Sequence, residues 1–130
     1  MFIKFILKLT SSVLLLTFLS LIYFILNILD GHSTYRVVTI SGYKSEKNPI
    51  ARFFIKKLGA LKGIILVKLL SLSVVFVMLF RYAKYFTKDF NLIFFIADIF
   101  YSWVVIHNYK TLFKMIDKQE KLYKKIQNVL

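Results

Sequence analysis

From Val13 to Leu29 almost every residue is apolar, and the run ends on a carboxylate, Asp30. A membrane-spanning helix needs about 20 apolar residues at 1.5 Å rise per residue. This run is slightly short alone, so the helix must extend one way or the other. Extended backward it covers about residues 9–30, with Asp30 at the exit. Extended forward it covers about 16–41, with Asp30 inside.

Two features favour forward extension. The segment Tyr35–Ile40 resumes apolar character before Gly42, the first convincing stop. Ser20, Tyr23, Asn27, Asp30, Thr34 and Ser41 also recur at helical spacing, so one polar stripe keeps its phase across Asp30. Arg36 argues the other way, because it lies opposite the stripe and must snorkel to an interface within a turn or two. The reading that reconciles these is one long helix over about 13–41, with Asp30 in the membrane but nearer its exit side.

Composition supports a membrane protein. The hydrophobic fraction of the 130 residues is 58%, above the roughly 45–50% of soluble domains, and it is gathered in blocks. The net charge is +13. No basic run is interleaved with stacking aromatics in a polar domain, so nucleic acid is not the expected partner. The cations flank apolar blocks, which suits anionic headgroups. The absence of Cys excludes disulfides, thiolate metal sites and thiol nucleophiles. Lys4 and Lys8 precede an apolar block as in a secretory leader. No small-x-small cleavage site follows, so the segment is expected to be retained.

Gly42–Pro49 is the one good turn signal. Asn48-Pro49 reads as an N-cap with Pro at the first helical position, so an interfacial helix start is expected over 49–60. The second span follows over about 61–80 with Lys68 inside it, and the third over about 89–109 with Asn91, Asp98, Ser102 and Tyr109 on one face and Asn108 at its edge. Residues 110–130 read as a basic amphipathic C-terminal helix. Its surface lysines Lys114, Lys118, Lys121, Lys124 and Lys125 suit an anionic membrane surface or a protein partner. The expected fold is therefore an all-α integral membrane protein, divided into a three-helix domain over 1–109 and a tail over 110–130.

Basic residues also suggest an orientation. Arg36, Lys44, Lys47, Arg52, Lys56, Lys57 and Lys62 share a side with the tail lysines, against Lys4, Lys8, Arg81, Lys84 and Lys88 on the other. The positive-inside rule then puts the Glu46 loop and the C-terminus in the cytoplasm of a cell-membrane protein.

Asp30, Lys68 and Asp98 occupy three separate apolar blocks. A lone charge at the bilayer centre costs about 2.5–3.5 kcal/mol on insertion scales, so the three are expected to face one another. In this reading Lys68 sits between the two carboxylates, with Asn27, Thr34, Ser71 and Asn91 supplying hydrogen bonds. The cluster reads either as structural pairing or as a proton, ion or substrate site. Glu46, Asn48 and Pro49 read as a loop and helix cap. His32 and His107 lack metal spacing, and neither a metal, a cofactor nor a catalytic residue is expected.

The elements Asn27-x2-Asp30-x3-Thr34, Gly42-x3-Glu46-x-Asn48-Pro49 and Lys68 resemble a family of small multipass membrane proteins, domain of unknown function family 5658. The resemblance covers Leu21 to Phe80 and extends through the third span to Asn108. It implies that the Asp30 segment belongs to a transmembrane helix, and it carries no activity with it. The chain departs from the pattern in its longer basic tail and in Gly31-His32.

The function these features suggest is a non-catalytic accessory or scaffold subunit, partnered by a larger membrane protein or by further copies of itself. The alternative is an oligomeric channel, carrier or holin-like pore lined by Asp30 and Asp98. An intramembrane enzyme using Asp30 with Glu46 or His107 would need those groups to converge.

Overall fold

A computed structural model describes residues 1–129. It is all-α, and three of its helices are long and apolar enough to cross a membrane. The helices are α1 (Phe2–Thr10), α2 (Val13–Ser41), α3 (Pro49–Leu58), α4 (Ala60–Tyr82) and α5 (Thr87–Gln127), with a 3-10 turn at Tyr43–Ser45.

Short polar residues and glycines punctuate these elements. Thr10 and Ser11 turn their hydroxyls back onto the Leu7 carbonyl at 3.1 and 2.9 Å, and the Ser12 side chain accepts from Leu15 N–H as the cap of α2. From there α2 continues without a break through Asp30 to Ser41. It stops at Gly42, whose φ of 84° is open to glycine and strained for other residues. Asn48 Oδ1 accepts from the N–H groups of Ile50 and Ala51 at 3.0 and 3.4 Å, and Pro49 opens α3.

Two boundaries differ from those read in the sequence. The helix that starts at Pro49 does not lead smoothly into the second span. It ends at Leu58, turns at Gly59 (φ 85°), and the chain restarts as α4. This corner folds α3 back so closely that a Cβ on Gly63 would lie 2.6 Å from the Ile55 nitrogen. Only a residue without a side chain fits there. The tail, expected as a separate helix from 110, is instead the continuation of α5 to Gln127. No Gly or Pro interrupts residues 87–127, so nothing in that stretch stops a helix.

Helices α2 and α5 run parallel. Contacts between them keep a nearly constant sequence offset of 77 to 79, from Ser12–Asn91 through Asp30–Asn108 to His32–Tyr109. Helix α4 is antiparallel to both. At 1.5 Å per residue α2 is about 43 Å long, α4 about 35 Å and α5 about 61 Å, against a hydrocarbon core of about 30 Å. With that offset Ser41 lies level with Gln119, so the last two turns of α5 extend beyond the end of α2.

Two apolar clusters hold the helices. Leu16, Leu19, Tyr23 and Phe94 join α2 to α5, with Leu72, Val75 and Leu79 of α4 against them. Val38, Ala51, Ile55 and Ile64 join the far end of α2 to the α3–α4 corner. Most other large apolar side chains point outward, as a lipid-facing surface requires. In lipid the outward residues gain nothing by burial, so the contacts that specify the bundle are close packing and interhelical polar bonds.

Candidate functional site

The polar residues of the spans form a seam between α2 and α5, with one cation entering from α4. At its centre, Lys68 Nζ lies 2.5 Å from Asp30 Oδ2 and donates to Asn27 Oδ1 at 3.2 Å. The other Asp30 oxygen accepts from Asn108 Nδ2 at 3.1 Å, and that amide also reaches Ser33 Oγ at 3.4 Å. The Lys68 ammonium stands 5.2 Å from the Tyr101 ring centroid, within cation–π range. Asn27 donates its own amide to the Tyr23 carbonyl at 2.9 Å, and Ser33 returns its hydroxyl to the Asp30 carbonyl. Asn27 and Ser33 are the most completely buried side chains described.

Asp30 precedes Arg36 by six residues and Lys68 follows Lys62 by six, so the pair lies about 9 Å below that band of exposed cations. Near the band, His32 Nδ1 and the Tyr109 hydroxyl share a hydrogen bond of 2.9 Å.

Of the residues proposed as a cluster, the structure brings together Asn27, Asp30 and Lys68. It does not bring in Thr34 or Asp98. Thr34 is half-buried one turn above Asp30, and its neighbour Ser33 makes the bond to α5 instead. Asp98 lies ten residues below Asn108 on α5, about 15 Å along the axis, beyond the reach of Lys68. Lys68 therefore does not sit between two carboxylates. Asp98 is 7% exposed, and neither of its oxygens has a hydrogen-bond partner among the described residues. It is ten residues from Lys88 and twelve from Lys110 along α5.

Asn91 and Ser71 also act elsewhere. The Asn91 amide donates to the carbonyls of Thr10 and Ser12 at 2.6 and 3.1 Å. The Ser12 carbonyl also accepts from Leu16 N–H, so the amide ties α5 to the α1–α2 break and caps the Thr10 end of α1. Ser71 bonds the Lys68 carbonyl within its own helix.

The Glu46 loop is closed on itself. Glu46 Oε1 accepts from Asn48 N–H at 2.8 Å, and Arg52 donates to the Glu46 carbonyl through Nε and Nη2 at 2.8 and 2.6 Å. His107 stacks on Trp103 with centroids 5.7 Å apart. Asp30, Glu46 and His107 thus do not share a site. On the far part of α5, Lys121 pairs with Asp117 at 2.7 Å on an exposed face, and Lys114, Lys118, Lys124 and Lys125 are exposed.

Sequence reading missed Ser33 and the central role of Asn108, and it placed Tyr109 on the polar face of the third span without pairing it with His32. Ser33 is off the polar stripe and Asn108 is at the edge of its own face. The only signal was their residue type inside apolar segments, and the choice between Ser33 and Thr34 depends on where α5 passes.

Three apolar spans joined by a part-buried ion pair and side-chain amides define the class, a small all-α multipass membrane protein. A family model described as domain of unknown function (DUF5658) matches residues 21–114. The chain belongs to that family, and the matched segment holds the whole Asn27–Asn108 cluster and the Glu46 loop. No curated protein and no solved structure matches the chain.

Proposed function

We propose that this protein is a non-catalytic accessory or scaffold subunit of a larger complex in the cell membrane, with the Glu46 loop and the C-terminus in the cytoplasm. The observation that carries this reading is the saturation of the central cluster. Both Asp30 oxygens, the Lys68 ammonium and the Asn108 amide are engaged between helices. Groups so engaged act as a clamp that sets helix positions, not as a reacting site. The last two turns of α5 support the same reading. Leu122, Tyr123 and Ile126 are more than half exposed there, among lysines and past the end of α2, where a partner can reach them. The test is purification of the tagged chain from its native membrane under mild detergent. A stoichiometric membrane-protein partner is the expected result, and a solitary monomer would overturn the reading.

One observation favours a second reading, an oligomeric channel, carrier or holin-like pore. Asp98 lies about midway along α5 between Lys88 and Lys110, with no hydrogen-bond partner among the described residues, and intramembrane carboxyls often mark ion or proton paths. Three spans do not enclose a pore, so this reading requires several copies. Proteoliposome flux that falls in Asp98→Asn and Asp30→Asn would support it, and absence of flux in the native protein would remove it.

A further inference from the structure

Between α2 and α4, on the side away from α5, lies a groove of about 350 Å³. Ile28, Gly31 and Tyr35 line it from α2, and Leu61, Ile65 and Leu72 from α4. Lys68, Asn27 and His32 also border it, but their polar ends are engaged with Asp30, Tyr23 and Tyr109. What the groove offers an occupant is carbon almost throughout. Gly31 keeps it open. A Cβ there would meet Ile64 Cγ2 and Lys68 Cγ at 3.7 Å, ordinary contact, so helix packing does not demand glycine, whereas a larger side chain would enter the groove.

We propose that this groove binds one acyl chain of an anionic phospholipid, drawn from the leaflet next to the Gly42 loop. Three features select that occupant. A helix about 10–12 Å across occupies roughly 1,200 Å³ or more over about 16 Å of its length, several times the groove's volume of about 350 Å³, whereas a single unbranched chain is on that smaller scale. From Leu61 to Leu72 is eleven residues, about 16 Å of depth, or half of a hydrocarbon core of about 30 Å. That is the path of a chain in one leaflet. At the shallow end, Arg36 and Lys62 adjoin Tyr35 and Leu61. Both are exposed, and neither is in an ion pair among the described residues. They are placed to meet a negative headgroup.

The experiment uses a reporter, Ile65→Trp in a Trp103→Phe background, reconstituted with chain-brominated phosphatidylglycerol or phosphatidylcholine. Bromine in the groove quenches the reporter. The expected result is an apparent preference for the anionic lipid on the order of fivefold per cation, lost in Arg36→Gln/Lys62→Gln while quenching by phosphatidylcholine persists. Gly31→Leu should weaken quenching by both lipids. Trp103 in the native chain, exposed on the outer surface of α5, should show no such preference. Equal quenching of the groove reporter by both lipids would overturn the proposal, and so would a preference that survives loss of both cations. A reporter shielded from every brominated lipid and cross-linked to a second copy would overturn it in favour of a protein occupant. A brominated fatty acid that outcompetes phosphatidylglycerol would overturn the assignment to a phospholipid.

Discussion

At the scale of single residues, the Asp30–Lys68 pair has the largest energetic consequence. Two ions drawn partly out of water are tolerated because each is matched, and removing one partner strands the other. The cost is about 3–5 kcal/mol in fully buried pairs and less for this part-buried one. Lys68→Met should therefore lower the thermal stability of the purified protein markedly. Asp30→Asn combined with Lys68→Met should recover part of that loss, since no ion is then stranded. Additive losses in this double-mutant cycle, followed by thermal unfolding in detergent, would show that the two side chains are energetically independent. Asn108→Leu should cost less, about 1–3 kcal/mol, because Asp30 keeps Lys68 when the amide is lost.

At the scale of elements, the breaks matter more than the helices. Gly63 is the position where the α3–α4 corner brings two backbones together, and Gly63→Val must push them apart. Overpacking of this kind costs about 1–3 kcal/mol. Protease sensitivity in the Gly42–Ala60 region is the sensitive measure, and it should rise in this variant. Asn91 has the corresponding place at the α1–α2 break. Asn91→Leu leaves the Thr10 carbonyl uncapped and removes the second donor to Ser12, and exchange of backbone amides in α1 should become faster while α4 is unchanged. Both corners were only partly legible in the sequence. Gly42 and Asn48-Pro49 announce themselves by residue type, and α2 ends and α3 begins where they stand. Gly59 and Gly63 look like ordinary helix residues until the return of α3 onto α4 is known.

At the scale of the whole molecule, three spans put the Gly42 loop and the end of α5 on one side, with the Tyr82–Thr87 connection on the other. The chain contains no Cys, so single cysteines can report this directly. Ser45→Cys and Asn128→Cys should react with an impermeant thiol reagent from one and the same face, the cytoplasmic one in the proposed orientation, and Lys84→Cys only from the opposite face. Labelling of Ser45→Cys and Asn128→Cys from opposite faces would contradict the parallel pairing of α2 and α5.

The sequence by itself determined the class of fold, because the length of an apolar run and the period of a polar stripe are local properties. Continuation of α2 through Asp30 follows from the unbroken phase of Ser20, Tyr23, Asn27, Asp30 and Thr34, and the cap at Asn48 follows from residue type. Which polar groups meet is a different matter. Periodicity places Asp30, Asp98 and Lys68 on faces, but it says nothing of their relative depth. Only the vertical register of three packed helices decided that Lys68 stands level with Asp30 and Asn108, while Asp98 lies about 15 Å lower on α5, without a hydrogen-bond partner among the described residues.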